Sequence, residues 1–77
     1  MKGYTAKYYL YEYNDEEYFS SLEARIRLYH TAEPVQKFNR KKDVFDYLGF
    51  KFNDAVSYNG IRYEIKKVLV PNRNFKA

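Results

Sequence analysis

The chain has 77 residues, among them ten tyrosines and six phenylalanines, with no cysteine, no tryptophan and a formal net charge of +4. This length admits one small domain, and the composition excludes disulfide stapling, a Cys/His metal site and, with only Gly3, Gly49 and Gly60, a glycine-rich phosphate loop. The longest apolar run is Val68–Val70, so neither a signal peptide nor a membrane span is expected.

Thirteen Leu, Ile and Val residues with sixteen aromatics supply one thin core. A core of this size leaves roughly 3–5 kcal/mol of net stability. Self-association is one way to add to it, so a homodimer is a possible partner state. The lack of cysteine fits a reducing compartment, and a cytoplasmic location is expected. Charge is uneven. Residues 1–20 set Lys2 and Lys7 against Glu12, Asp15, Glu16 and Glu17, whereas residues 61–77 set Arg62, Lys66, Lys67, Arg73 and Lys76 against Glu64. An acidic beginning and a basic end would steer an anionic partner.

Residues 5–13, TAKYYLYEY, are β-branched and aromatic without a breaker and predict a first strand. Ala6, Tyr8 and Leu10 share one side of it, and Tyr9, Tyr11 and Tyr13 the other. Asn14-Asp15 signals a turn, with Asp15, Glu16 and Glu17 at an exposed tip. In residues 18–30, Leu22, Ala24, Ile26 and Leu28 alternate with Glu23, Arg25, Arg27 and Tyr29, which predicts a second strand. The rival is a helix starting at Ser20 or Ser21, with Leu22, Ile26 and Tyr29 on one stripe.

Thr31–Pro34 predicts a turn and Val35–Phe38 a short strand, with Pro34 suited to a strand start or sheet edge. A helix is expected over 40–48, with Asn39 as N-cap and Val44, Phe45 and Leu48 as its apolar stripe. Gly49 fits the left-handed position that ends it, and Phe50 would then fold back on Phe45. Asn59-Gly60 between two alternating runs predicts a two-residue hairpin pairing Tyr58 with Ile61, Val56 with Tyr63 and Asp54 with Ile65. Alternation breaks at Lys66-Lys67, which suggests a β-bulge. Residues 71–77 form a basic tail on an ordered body of about 5–70. The expected fold is α+β, an antiparallel sheet with one covering helix in the chain order β-β-β-α-β-β. Its expected core is Leu22, Ile26, Leu28, Val44, Phe45, Leu48, Val56, Ile61 and Ile65.

Catalytic groups are scarce. His30 is the single histidine, and Ser20, Ser21 and Ser57 have no recognisable base near them. Asp54, with Glu64 and Lys66 spaced E-x-K, superficially resembles the PD-(D/E)xK nuclease pattern. The Asn-Gly turn sets Asp54 opposite Ile65, on the face away from Glu64 and Lys66, and the proline of that pattern is missing. Asp43 and Asp46 are three apart on a helix and read as solvated, with Asp43 complementing the helix N-terminus. No metal, no cofactor and no enzymatic activity are expected.

Binding is the function that remains. Tyrosine and arginine are the residue types that dominate protein interfaces. The chain therefore reads as a non-catalytic protein-binding module (an inhibitor, adaptor or assembly subunit). Tyr9, Tyr11, Tyr13, Arg25, Arg27 and Arg62 are its candidate contacts on a sheet face or edge. The alternative is nucleic-acid binding, with tyrosines stacking on bases and Arg25, Arg27, Arg62, Lys66 and Lys67 contacting phosphates.

Overall fold

The computed structural model describes residues 3–72. The chain runs β1 (Tyr4–Asn14), α1 (Asp15–Tyr18), α2 (Leu22–Thr31), β2 (Gln36–Phe38), α3 (Lys41–Leu48), β3 (Ala55–Tyr58) and β4 (Ile61–Pro71). The strands form one antiparallel sheet in the order β2-β1-β4-β3. The fold is α+β, as its composition and patterning predict. The element order differs from expectation in one place, residues 15–31, where two helices replace a turn and a strand.

Local hydrogen bonding explains that replacement. Asn14 is extended, and its side-chain oxygen accepts the Glu17 N–H at 2.9 Å. Asp15, Glu16 and Glu17 then put three carboxylates in the first turn of α1, where the helix dipole favours them. Ser21 caps α2 in the same way, its Oγ accepting the Ala24 N–H at 3.0 Å. Leu, Glu, Ala and Arg, which fill most of α2, are strong helix formers. The period of two was misleading because α2 leaves large apolar side chains in solvent. Leu22 is 67% and Ile26 48% exposed, while Ala24 is the buried residue. Leu22 and Ile26 are therefore not core, and Leu28 is only half-buried.

The two long strands form the spine. β1 and β4 pair without interruption from Tyr4 opposite Pro71 to Asn14 opposite Ile61. The expected bulge at Lys66-Lys67 is absent from this register. What breaks the alternation is a change of cover: beyond Ile65 the apolar residues Val68 and Val70 fall on the other face from Ile65, and Lys67 and Leu69 are exposed. Pro71 closes β4, and the Asn72 N–H donates to the Gly3 carbonyl at 2.8 Å. So the first two residues of the expected tail belong to the ribbon, and 73–77 lie outside the described residues.

Asn59-Gly60 makes the predicted hairpin, with Asn59 at φ 52° and Gly60 at φ 81°. Tyr58 faces Ile61, Val56 faces Tyr63, and the Ile65 N–H donates to the Asp54 carbonyl at 3.0 Å. Register sorts the side chains onto two faces. Face one carries Ala6, Tyr8, Leu10, Phe38, Val56, Tyr58, Ile61, Tyr63 and Ile65. α3 packs there against β1 and β2, and Leu10 and Val44 are its two fully buried side chains. Phe45, Leu48, Val56, Ile61 and Ile65 are half-buried around them.

α3 differs from expectation at both ends. Its N-cap is Arg40, without a side-chain cap bond, because the Asn39 amide oxygen instead accepts from Lys7 Nζ. Arg40 pairs with Asp43 at 3.0 Å. At the other end Gly49 adopts φ 87° and donates its N–H to the Phe45 carbonyl at 2.7 Å, as predicted. Phe50 continues past Phe45 to pack on Phe52, Tyr58 and Tyr63, and Phe45 meets Phe52. The second face carries Lys7, Tyr9, Tyr11, Tyr13, Lys37, Arg62, Glu64 and Lys66. Contrary to expectation it too has helices, α1 and α2, but only over one end.

Candidate binding surfaces

At the covered end of the second face a polar-aromatic cluster is centred on Glu64, which is 6% exposed. One of its carboxylate oxygens, Oε2, accepts from Arg62 Nε at 2.9 Å and from the Tyr18 and Tyr29 hydroxyls at 3.1 Å each. The two hydroxyls are themselves 2.8 Å apart. Two hydroxyl hydrogens must serve three close oxygen pairs, so one pair is always without a proton between its oxygens. Tyr18 and Tyr29 come from α1 and α2, Glu64 and Arg62 from β4. The cluster thus ties both helices to the sheet. Arg62 and Arg25 lie over the rings of Tyr18 and Phe19, with guanidinium-to-centroid distances of 4.6 to 5.6 Å.

These surroundings shift the protonation of the groups inside. Burial, then the nearby Glu64 carboxylate, pushes the Tyr13 hydroxyl up to about 12. Tyr29 is raised as well, first by its hydrogen bond with Tyr18 and then by burial. For Arg62 burial works against the charge, but the bond to Glu64 and the contact with Tyr18 outweigh it and hold the guanidinium above its ordinary value. Tyr13 Oη and Arg25 Nε are buried without a hydrogen-bond partner.

The sequence-predicted contacts therefore separate. Tyr9, Tyr11 and Tyr13 do share a face. Tyr13, at 3% exposure, is interior, stacked between Tyr11 at 6.3 Å and the rings of Tyr18 and Tyr29. It cannot touch a partner while the cluster is closed. Arg62 is held by Glu64, and Arg25 is half-buried over the same rings. Arg27 stands outside on α2, in an exposed pair with Glu17 at 3.5 Å. Lys67 lies on the opposite face from Lys66. The expected set is thus not one open surface. Tyr18, Tyr29 and Glu64, which organise the cluster, escaped sequence reading. The available signal was the Ser21 cap, which turns residues 22–31 into a helix and brings Tyr29 over Glu64.

Two of the open surfaces combine the residue types that binding favours. One is the outer stripe of α2, Leu22, Ile26 and Tyr29, the last 41% exposed. The other is the uncovered end of the second face. There Tyr9 pairs with Lys37 on one side and Lys66 on the other, and Lys7 stands in the next row beside Asn39. Lys37 Nζ lies 5.0 Å from the Tyr9 ring centroid, and Lys66 Nζ 4.6 Å from that of Tyr11. A cavity of 280 Å³ opens between Lys7, Tyr9, Lys37, Asn39 and Val70.

Among the described residues, no three His, Asp or Glu side chains stand close enough to hold a metal ion. Asp54, Glu64 and Lys66 form no acidic site: Asp54 sits opposite Ile65, and Glu64 is committed to Arg62 and two tyrosines. No helix among these residues is long and apolar enough to cross a membrane. Comparison of the chain with protein-family models, curated proteins and solved structures finds no match.

Proposed function

We propose that the protein is a non-catalytic protein-binding module (an inhibitor, adaptor or assembly subunit) that docks through the outer stripe of α2. The observation that carries this reading is the inverted sidedness of that helix. It turns its smallest apolar residue, Ala24, inward and two of its three large aliphatics, Leu22 and Ile26, outward, while the third, Leu28, is half-buried. Single exposed apolar residues are ordinary, but a stripe at positions i, i+4 and i+7 is the pattern by which an amphipathic helix lies in a partner's groove. Tyr29 ends the stripe and Arg27 flanks it, and both are residue types enriched at interface centres.

Photo-crosslinking in expressing cells tests this. A photoreactive phenylalanine derivative at Ile26 is expected to give an adduct of one defined mass, lost when Leu22→Glu is added. The same probe at Asn53 is expected to give none. An adduct of twice the chain mass would identify the partner protein as a second copy. Equal labelling from both positions, or none from Ile26, would overturn the reading.

A further inference from the structure

The uncovered half of the second sheet face lies beside the α2 stripe and meets it where Tyr29 touches Lys66. We propose that it binds a single-stranded nucleic acid, with Lys7, Lys37 and Lys66 contacting phosphates and Tyr9 stacking on a base. Charge segregation is the first argument. The rows formed by Thr5 with Val70, by Asn39 with Lys7 and Val68, and by Lys37 with Tyr9 and Lys66 contain no carboxylate. Among the described residues none of these three lysines has an ion-pair partner. The acidic residues of the strands and of α1 lie elsewhere: Asp15, Glu16 and Glu17 in α1 at the far end of the strands, Glu12 on the opposite face, and Glu64 in its own closed cluster. Tyr9 has a lysine on each neighbouring strand, about 5 Å away in backbone spacing. This is a short positive bar with an aromatic ring in its middle.

The rings decide what kind of anion fits. Lys37 rests over Tyr9, and Lys66 over Tyr11 and Tyr29. These cation–π contacts are only partly buried, and such contacts are weak. An incoming base takes the ring face, and the displaced ammonium moves to the phosphate that the base brings with it. An acidic peptide would satisfy the lysines but leave the ring without a flat partner. The 280 Å³ cavity beside Tyr9 is at the small end of ligand pockets, with room for one flat group. α2 borders the same face, with Tyr29 against Lys66, and leaves a narrow strip suited to one strand rather than a duplex.

Fluorescence anisotropy tests the proposal on the whole chain. The probes are labelled oligo(dT), oligo(U), a mixed-sequence duplex and polyglutamate of matched charge, each titrated from about 50 to 200 mM salt. Single strands are expected to bind more tightly than the duplex and than polyglutamate. Three phosphate contacts at about 0.7 each give a log–log salt slope near −2. Lys37→Gln/Lys66→Gln is expected to make the slope shallower by about 1.4, and Tyr9→Leu to weaken binding about ten-fold. Leu22→Gln/Ile26→Gln, which alters the α2 stripe without changing charge, is expected to leave it unchanged, which separates this site from the stripe. A stronger affinity for oligo(U) than for oligo(dT), or the reverse, would name the natural strand. No binding at 50 mM salt, equal binding of polyglutamate, or preference for the duplex would each overturn the proposal without any variant having to fold.

Discussion

The two ends of the second sheet face are built from the same alternating strands and behave in opposite ways. At the covered end Tyr13, Tyr18, Glu64 and Arg62 are drawn into a closed cluster beneath α1 and α2. At the uncovered end Tyr9, Lys37 and Lys66 sit in an equivalent cross-strand row that α2 touches only at Lys66, through the Tyr29 ring. Residue type does not separate the two ends, since both offer tyrosine beside a cation. What separates them is cover. A helix removes water, so each polar group beneath it must find a partner or cost free energy. In the open row Lys37 is exposed and Tyr9 and Lys66 are half-buried, so each keeps part of its solvent.

The comparison can be broken most severely at Glu64. Glu64→Ala leaves Arg62 and two tyrosine hydroxyls without their acceptor in a site largely closed to water. A loss of about 3 kcal/mol is expected, read from the urea unfolding midpoint. A loss under about 1 kcal/mol would mean that the cluster does not hold the helices.

Alkali should act on the same end. Tyr13 is raised to about 12 in the fold from an unfolded value near 10. A raised tyrosine contributes stability that is fully present below the unfolded value and lost as pH climbs through the folded one. Stability is therefore expected to fall between pH 10 and 12, by about 2–3 kcal/mol at most from this group. Tyr29 is shifted in the same direction and adds to the fall. Denaturant titrations at pH 9, 10, 11 and 12 measure it, and Tyr13→Phe should flatten the curve.

At neutral pH two hydroxyl deletions sharpen the contrast within the cluster. Tyr29→Phe removes a donor to Glu64 and should cost about 1 kcal/mol. Tyr13→Phe removes a buried hydroxyl that has no partner, and should be neutral or slightly stabilising. A larger loss at Tyr13 than at Tyr29 would invert the assignment of partners. The smallest effects belong to the open surfaces. Lys37→Ala, and separately Leu22→Glu/Ile26→Glu, should each change stability by less than about 0.5 kcal/mol. If the stripe substitutions cost much more, Leu22 and Ile26 are packing residues rather than docking ones.

Much of the fold was legible. The strand over 5–13, the Asn59-Gly60 hairpin with its register, and the Gly49 helix ending all rest on local chemistry: side-chain branching, positive φ and alternation. Residues 18–30 were misjudged for the same reason that they are of interest. Alternation is a proxy for burial on one side, and α2 does not bury its large residues. The Ser21 cap and the helix-forming composition were the better guide, because they act on the backbone whatever the helix packs against. The candidate contacts fared less well. Shared faces for Tyr9, Tyr11 and Tyr13 follow from alternation, but which of them stays exposed depends on where α2 comes to rest.

Local patterning along the chain suffices for the class of fold, the hairpin, the two faces of the long strands and the lack of cysteine chemistry. These depend on neighbours a few residues apart. Long-range packing is what turns Tyr13, Arg62 and Glu64 inward and leaves Tyr9, Lys37 and Lys66 outside the closed cluster. That choice is made by helices packed across the sheet from residues 15–31. Their placement reflects the burial of Tyr18 of α1 against β1 and β4, a contact between positions as much as 46 residues apart in the Tyr18–Glu64 bond, with α2 packed on α1.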